Sequence, residues 1–184
     1  MRGTQKDVVE AARRGDGAAW EALYREVYPK LHAYLSRRVG HDQAEDAVAE
    51  TMSRAVASLH RFQFGPAGFD GWVFGIARHV ALDHHRRAVR RPTEVLVGQR
   101  YSAEVGQPLD AVADGLILDD DHAAVRAAFA RLDDRDQELL LLRVVGGLSA
   151  EATAEVLHKR AGAVRTAQSR ALARLRQLLE AHDA

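Results

Sequence analysis

The sequence predicts an all-α fold, organised as two small helical domains on either side of a linker. Ala, Leu, Arg and Glu dominate the 184 residues, and these residue types favour helices. Aromatic residues make up 6% of the chain, and the alternating apolar and polar runs of half-buried strands are hard to find. This length allows one ordinary domain or two small ones, and an aperiodic stretch after Pro92 separates two helical segments.

Three apolar stripes predict the helices of the first segment. The first helix is expected over residues 16–38 after a short helix over residues 6–14, and Pro29 is expected to kink or break it. The second is expected over residues 42–60 with Asp42 as its N-cap, and the third over residues 69–89, stopped by Pro92. The inward residues of the three helices are Trp20, Leu23, Val27, Leu31 and Tyr34, then Val48, Met52, Ala55, Val56 and Leu59, then Trp72, Val73, Ile76, Val80 and Ala81.

The stretch after Pro92 contains Gly98, Gly106 and Pro108 and shows no apolar period, which indicates a flexible linker. Four helices are expected beyond it, over residues 119–132, 135–145, 149–157 and 161–179, and Ser149 is expected to cap the third. The inward residues of the first two are Val125, Phe129 and Leu132, then Leu139, Leu140, Leu142 and Val145.

The last two predicted helices, with the three-residue turn 158–160 between them, have the arrangement of a helix-turn-helix. The small side chain of Ala154 permits a close approach of the second helix. The shared core is expected from Val156, Leu157, Val164 and Leu172. His158 occupies a turn position at which φ tends to be positive, so we expect a slightly strained turn.

Charges are segregated along the chain, although 26 Lys and Arg balance 26 Asp and Glu. Residues 41–50 carry four acids and no Lys or Arg, whereas residues 73–91 carry five Arg against one Asp. Residues 110–138 carry nine acids against three Arg, and residues 158–176 carry six basic residues and no acid. This alternation indicates separate faces for different partners or for each other.

The basic C-terminal helix is predicted to contact DNA. Its exposed side is expected to carry Arg165, Gln168, Ser169 and Arg170. Arg can contact guanine edges or phosphates, and Gln can contact adenine, from a helix in the major groove. The alternative is a solvated Arg-rich helix that packs on the acidic residues 110–138.

Other classes of function find little support. The chain has no Cys, which excludes disulfides, thiolate zinc sites and a catalytic Cys. No apolar run approaches the ~20 residues of a membrane span, and the N-terminus lacks the apolar core of a signal peptide, so a cytoplasmic protein is expected. His79 and Asp83 share a helix face, but one such pair does not make a metal site. We predict no catalytic residues, no metal and no cofactor.

Two segments carry a family resemblance: "DQAEDAVAETMSRAVASLHRF" (residues 42–62) and "FDGWVFGIARHVALDHHRRAVRRP" (residues 69–92). Together with the helix-turn-helix they resemble the extracytoplasmic-function (ECF) group of bacterial sigma factors. The matching residues are Ala44, Glu45, Asp46, Glu50, Thr51 and Arg54; Phe69, Trp72, Ile76, Ala77, Arg78, Asp83, Arg86 and Arg87; and Leu132, Arg135, Leu140, Gly147, Ser149, Ala154 and Leu157.

The resemblance implies a domain organisation. Residues 1–92 would form a sigma region 2-like helical bundle that binds core polymerase and the −10 promoter element. Residues 93–118 would form the linker, and residues 119–184 a region 4-like helix-turn-helix domain that reads the −35 element.

The resemblance also implies site residues. Those for core polymerase are Asp46, Glu50 and Arg54, where unpaired acids would fit a basic clamp surface. Those for the −10 element are Phe62, Phe64, Arg78, Arg86, Arg87, Arg90 and Arg91, with Phe62 and Phe64 expected to be exposed and Trp72 to lie in the core. Those for the −35 element are Lys159, Arg160, Arg165, Thr166, Ser169 and Arg170. Ala167 stands where the family motif has Arg, which implies one contact fewer.

The implied function is a sigma factor that binds core RNA polymerase and directs promoter-specific transcription initiation. Its partners would be the clamp and flap regions of core polymerase, promoter DNA and an anti-sigma factor that no residue here identifies, with no membrane insertion. Two alternatives stay open at this point: a stand-alone helix-turn-helix regulator, and a sigma-like protein with a degenerate DNA-reading helix that acts through protein interaction. Acids of the linker region, Asp110, Asp114, Asp119, Asp120 and Asp121, are expected to fold back on a DNA-reading face.

Overall fold

A computed structural model describes residues 4–90 and 120–181, and all regular secondary structure in these residues is helical. The prediction of an all-α fold is confirmed. The helices are α1 (Gln5–Arg13), α2 (Gly17–Val39), α3 (His41–Ser58), a 3-10 turn (Leu59–Arg61), α4 (Gly68–Arg90), α5 (Asp120–Ala130), α6 (Asp134–Leu140), a π-helical turn (Leu141–Val145), α7 (Ala150–Val156) and α8 (Ala161–Glu180). The predicted linker lies outside the described residues. We call residues 4–90 the first helical group and residues 120–181 the second.

Side-chain caps define where several helices begin. The Asp16 carboxylate accepts hydrogen bonds from the backbone N–H groups of Ala18 and Ala19 at 3.0 and 3.2 Å, which starts α2. The prediction that Asp42 caps α3 is wrong. Gly40, with φ 89°, stands at the N-cap, so the chain turns there and Asp42 lies inside the first helical turn.

Helix α2 continues through Pro29 from Gly17 to Val39, so the chain does not break there, and the alternative that Pro29 kinks the helix stays a prediction. A proline inside a helix costs about 3 kcal/mol because it removes one backbone hydrogen bond and crowds the preceding turn. Helix α2 packs against α1, α3 and α4. Burial of its apolar face against three neighbours offsets the local cost at Pro29.

The core of the first helical group follows the predicted stripes. Leu23, Val27, Leu31 and Tyr34 of α2 are buried among residues of α3 and α4. Three residues predicted to face inward are instead exposed: Val56 by 53%, Val125 by 39% and Leu172 by 44%. Each helical residue is turned by about 100° from the one before it, so the position next to a buried Ala55 or Ala171 already faces solvent.

The helix-turn-helix has a small core of its own. Ala154 of α7 packs with Leu139, Ala150 and Val164, which confirms the predicted close approach of α8 to α7. Val156 does not join this cluster. It packs with the core of the first helical group instead, because it lies on the opposite side of α7.

The two helical groups share one apolar cluster, which we call the seam. Five buried residues of the second group belong to the core cluster of the first: Leu141, Leu142, Leu148, Ala152 and Val156. A Cβ on Gly146 would lie 3.0 Å from the Phe74 ring, so the backbone of the second group rests directly on α4. The described residues therefore form one packed body.

Candidate functional site: a nucleic-acid interface

The turn between α7 and α8 sets the angle of the basic helix. The Ser149 hydroxyl accepts a hydrogen bond from the Ala152 N–H at 3.0 Å, which confirms the predicted cap of α7. His158 has φ 53°, in the left-handed region that favours glycine, so the prediction of a strained turn is confirmed. The Lys159 N–H donates to the Ala154 carbonyl at 2.8 Å, which closes the turn.

The exposed face of α8 and its turn is cationic, and we call it the recognition face. It consists of the residues predicted for the −35 element, all of which are exposed: Lys159, Arg160, Arg165, Thr166, Ser169 and Arg170. Among the described residues Lys159, Arg160 and Arg170 form no ion pair. Lys159 and Arg160 precede the first turn of α8 and Arg170 lies near its middle, and such exposed cations fit the phosphates beside a major groove.

Two cations of α8 are paired within the second helical group. Arg165 pairs with Glu151 of α7. The pKa of Glu151 lies below its usual value. The main cause is a hydrogen bond from the backbone of Glu151 to its own carboxylate, and the charge of Arg165 adds to it. Arg174 pairs with Asp136 and Asp133 at the start of α6. The alternative prediction, that the basic helix packs on the acidic segment, therefore holds for Arg174. It does not hold for the recognition face, which stays exposed.

Gln168 does not lie on the exposed face, contrary to the prediction. It is half-buried and accepts a hydrogen bond from the Arg143 guanidinium at 2.8 Å. Arg143 also donates to the Leu148 carbonyl. This arginine holds α8 against the π-helical turn, and sequence reasoning missed it because a single Arg in an apolar run carries no signal of a specific partner.

The aromatic residues of the first helical group pack against one another. Phe62 is 3% exposed, so the expectation that it is exposed is wrong. Its ring lies 4.8 Å from that of Phe64 and 4.9 Å from that of Trp72, centroid to centroid. Phe64 is half-buried at the edge of this cluster. Such aromatic pairs stabilise a core, and the roles of Phe62 and Phe64 towards DNA stay predictions.

The arginines predicted for the −10 element are paired with acids. The Arg78 Nε donates to Glu138 of α6 at 3.0 Å, across the seam. Arg86 lies 3.6 Å from Asp83, and Arg87 lies 3.7 Å from Glu50. The last two pairs are largely exposed, and exposed pairs contribute about 0–1 kcal/mol, so they leave both arginines available. All of Arg91, Asp110, Asp114 and Asp119 lies outside the described residues, as do the side chains of Arg90, Asp120 and Asp121.

Glu50 is not an unpaired acid, contrary to the prediction. It pairs with Arg54 at 2.5 Å, with His84 at 3.3 Å and with Arg87. Arg54 in turn reaches Asp83 at 3.2 Å, so one network ties α3 to α4. Asp46 differs, because it is exposed and forms no ion pair among the described residues.

Glu45, one turn before this network, contacts α2. The Tyr28 hydroxyl donates to Glu45 at 2.8 Å, which raises the pKa of the phenol to about 12. Among the described residues no group of three or more acidic or His side chains is arranged to hold a metal ion. No helix in this part of the chain is long and apolar enough to cross a bilayer.

Comparison with known families identifies both halves of the chain. Residues 23–91 match Sigma-70 region 2, and residues 122–175 match Sigma-70 region 4. The ECF RNA polymerase sigma factor BldN of Streptomyces coelicolor is 35% identical over 176 residues, spanning 94% of this chain and 65% of the BldN length. The ECF RNA polymerase sigma factor ShbA of Streptomyces griseus is 35% identical over 181 residues, spanning 94% of both chains.

A solved structure shares the fold. The structure of CnrH in complex with the cytosolic domain of CnrY has a TM-score of 0.69 with this chain at 22% identity. The match covers 96% of this chain and 97% of the other. This likeness establishes that the helical order and arrangement described above recur in another protein.

Proposed function

The chain belongs to the ECF sigma factors of bacterial RNA polymerase, and we propose from this premise that it joins core polymerase and directs it to a small set of promoters. The observation that carries the proposal is the recognition face, where Lys159, Arg160 and Arg170 are exposed and form no ion pair among the described residues. The family is one of transcription initiation factors without catalytic chemistry of their own.

The −35 element is assigned to the recognition face. Arg165 and Arg170 lie about one and a half turns apart on α8, and Lys159 and Arg160 precede its first turn. A helix that enters the major groove by its N-terminal turns directs such side chains to base edges and to the flanking phosphates. Thr166 and Ser169 add hydroxyl groups that can donate to phosphate or accept from a base amine.

The −10 element is assigned to α4 and the loop before it. Arg78, Arg86 and Arg87 supply a cationic track along α4, and Phe64 stands at the edge of the aromatic cluster. A single strand is bound by such a track together with aromatic platforms. Phe62, Arg90 and Arg91 complete the proposed set.

Core polymerase is assigned to the exposed side of α3, where Asp46, Glu50 and Arg54 lie within about two helical turns. The network that joins Glu50 to Arg54 orients both side chains, and Asp46 presents a charge that is unpaired among the residues the structure describes. We place the clamp of core polymerase here and the flap on the second helical group. CnrH is bound by CnrY, and an anti-sigma partner for this chain stays a prediction.

Run-off transcription with purified core polymerase and fragmented genomic DNA tests the proposal. Discrete transcripts that require this protein are expected, and their start sites define its two promoter elements. Arg170→Ala should reduce these transcripts at limiting protein. Arg176→Ala is the matched control, because Arg176 is an exposed cation of the same helix, forms no ion pair within residues 4–90 and 120–181, and lies outside the proposed site. Failure of the wild-type protein to bind core polymerase would overturn the proposal.

A further inference from the structure

One histidine of α4 lies between two side chains of α3, at the face proposed for core polymerase. The His84 Nδ1 is 3.1 Å from the Gln43 side-chain oxygen, and the His84 Nε2 is 3.3 Å from the Glu50 carboxylate. Gln43 and Glu50 are seven positions apart, which places them about two turns apart on one side of α3. The imidazole of His84 therefore bridges two turns of the neighbouring helix.

Packing fixes the ring between these two partners. Val80 and Ala81, one turn earlier on α4, are buried in the core, which places His84 at the edge of the packed face of α4. The His84 side chain is only 14% exposed. His85, the next residue, differs, because it is exposed and has no hydrogen bond or ion pair among the described residues.

The two ring nitrogens of His84 face two oxygen atoms. A neutral imidazole carries one N–H donor, whereas an imidazolium carries two. In this arrangement only the imidazolium donates to both Gln43 and Glu50. Imidazole side chains exchange this proton with water between about pH 5 and about pH 8. The bridge between α3 and α4 is therefore sensitive to pH.

The other charges on this part of α3 and α4 balance, and we call them the charge cluster. It consists of three carboxylates and three guanidiniums: Asp46, Glu50 and Asp83, and Arg54, Arg86 and Arg87. Glu45 does not belong to it, because Glu45 contacts Tyr28 and His32 on the α2 side. The proton of His84 therefore decides whether this surface is neutral or carries one excess positive charge.

The same proton decides how firmly Glu50 is held. The Glu50 carboxylate pairs with Arg54 at 2.5 Å and lies 3.7 Å from Arg87. A cationic His84 adds a third partner, which is more buried than either arginine, and draws the carboxylate towards α4. A neutral His84 leaves Glu50 more of its charge for a cation of another protein.

We propose that His84 is a positioning residue for core polymerase, and that the protein with a neutral His84 binds core polymerase more tightly. This inference rests on the proposed function, which places Asp46, Glu50 and Arg54 against a basic surface of the clamp. An excess positive charge beside such a surface opposes association, because like charges repel. The protein should therefore bind core polymerase less tightly in mildly acidic conditions, and one proton should account for the difference.

Two variants separate the charge of His84 from its hydrogen bonds. His84→Gln keeps a hydrogen-bonding side chain that never carries a charge, and His84→Lys carries a permanent charge. His85→Gln is the matched control, because it removes the neighbouring exposed histidine and leaves the bridge intact. Circular dichroism at each pH shows that the compared proteins are folded.

The first readout is affinity for core polymerase at constant ionic strength. Each affinity is divided by that of His84→Gln at the same pH, which cancels titration of the polymerase itself. From about pH 6 to about pH 8 this ratio should rise about fivefold in the wild type and in the control, as expected for one ion pair. His84→Lys should stay about fivefold weaker than His84→Gln throughout.

The second readout is the carboxylate carbon signal of Glu50 in the free protein, followed by nuclear magnetic resonance over the same pH range. The signal should shift in the wild type and in His85→Gln as the bridge loses its proton. It should stay constant in His84→Gln, because no proton is then exchanged beside the carboxylate.

A constant ratio of wild-type to His84→Gln affinity would overturn the inference, even where the Glu50 signal shifts. A Glu50 signal that does not shift would overturn it as well, because His84 would then not hold that carboxylate. In either case a wild-type protein that binds core polymerase and supports run-off transcription keeps the proposed function. A protein that binds core polymerase at no pH refutes the proposed function, and the Glu50 signal then still decides whether His84 holds the carboxylate.

Discussion

The two cationic faces of this sigma factor are both rich in arginine and differ in how far packing covers them. On α4 the exposed pairs of Arg86 and Arg87 leave both arginines available, whereas Arg78 is covered by Glu138 across the seam. On α8 the cations Lys159, Arg160 and Arg170 are exposed and form no ion pair among the described residues. The difference shows that tertiary packing, rather than the number of arginines, decides which arginines of the two proposed DNA faces are available.

The cores of the two helical groups differ in size and in how far each is complete without the other group. The first group surrounds a continuous cluster built from α1 to α4, whereas the second has two small clusters and places Leu141, Leu142 and Leu148 in the core of the first. The second group therefore depends on the seam for part of its stability.

Truncation at the centre of the seam should have the largest effect. Phe74 is fully buried, and its ring lies 5.4 Å from that of Tyr34. Phe74→Ala should lower the free energy of unfolding by about 3–5 kcal/mol, because it leaves a cavity that both groups border. Thermal and denaturant unfolding followed by circular dichroism measure this loss.

Leu139→Ala provides the comparison, because Leu139 lies in the small core of the helix-turn-helix. Faster amide exchange in this variant should be confined to the second group. Equal acceleration in α2 and α3 would show that the second group has no core of its own.

Adding one methyl group at the seam should have an intermediate effect. A Cβ on Gly146 would lie 2.8 Å from the Leu142 carbonyl oxygen and 3.0 Å from the Phe74 ring. Gly146→Ala should cost about 1–3 kcal/mol of unfolding free energy, because the crowded backbone and ring must move apart. Gly162→Ala is the control: a Cβ there meets nothing within 4 Å, and the change should leave the protein as stable or more so.

Replacing one arginine on each face should change DNA binding by the free protein to different extents. Arg170→Ala should weaken binding to a −35 duplex and lower the slope of log affinity against log salt by about 1, because one phosphate contact is lost. Arg78→Ala should leave this binding unchanged, since Arg78 is paired with Glu138. A titration at several salt concentrations measures both, and an equal loss from the two changes would contradict the difference in availability.

Relief of the strained turn should have the smallest effect. His158 has φ 53°, which costs a residue with a Cβ about 1–2 kcal/mol. His158→Gly should raise the free energy of unfolding by about 0.5–1 kcal/mol, because glycine relieves this strain but gains freedom in the unfolded chain. Denaturant midpoints measure the gain, and a loss of stability would show that the imidazole ring makes a contact that outweighs the strain.

Features that depend on residues close together in the sequence could be predicted from the sequence alone. The helical order, the cap by Ser149 and the positive φ of His158 all follow from local rules, and the structure confirms them. The continuation of α2 through Pro29 did not follow from local rules, because the local cost of the proline is offset by packing against α1, α3 and α4. Asp42 was misjudged because the preceding Gly40 already supplies the turn.

The site was harder to predict because its contacts join residues that are far apart in the chain. Arg78 and Glu138 are 60 positions apart, and Ala67 and Glu155 are 88 positions apart. Helical periodicity shows which face of a helix is apolar and does not show which helix covers it. The burial of Phe62 and the pairing of Gln168 with Arg143 escaped prediction for the same reason.

Hydrogen–deuterium exchange of the free protein and of its Val156→Gln variant tests the central claim most directly. In the wild-type protein the Ala67 N–H, which donates to Glu155 of α7, and the peptides of α7 that face α4 should be protected. Val156→Gln should accelerate exchange at Ala67 and along the seam side of α7, and exchange on the exposed face of α8 should be the same in both proteins. Fast exchange at Ala67 in the wild-type protein would contradict the account, because the seam would then not hold Glu138 over Arg78.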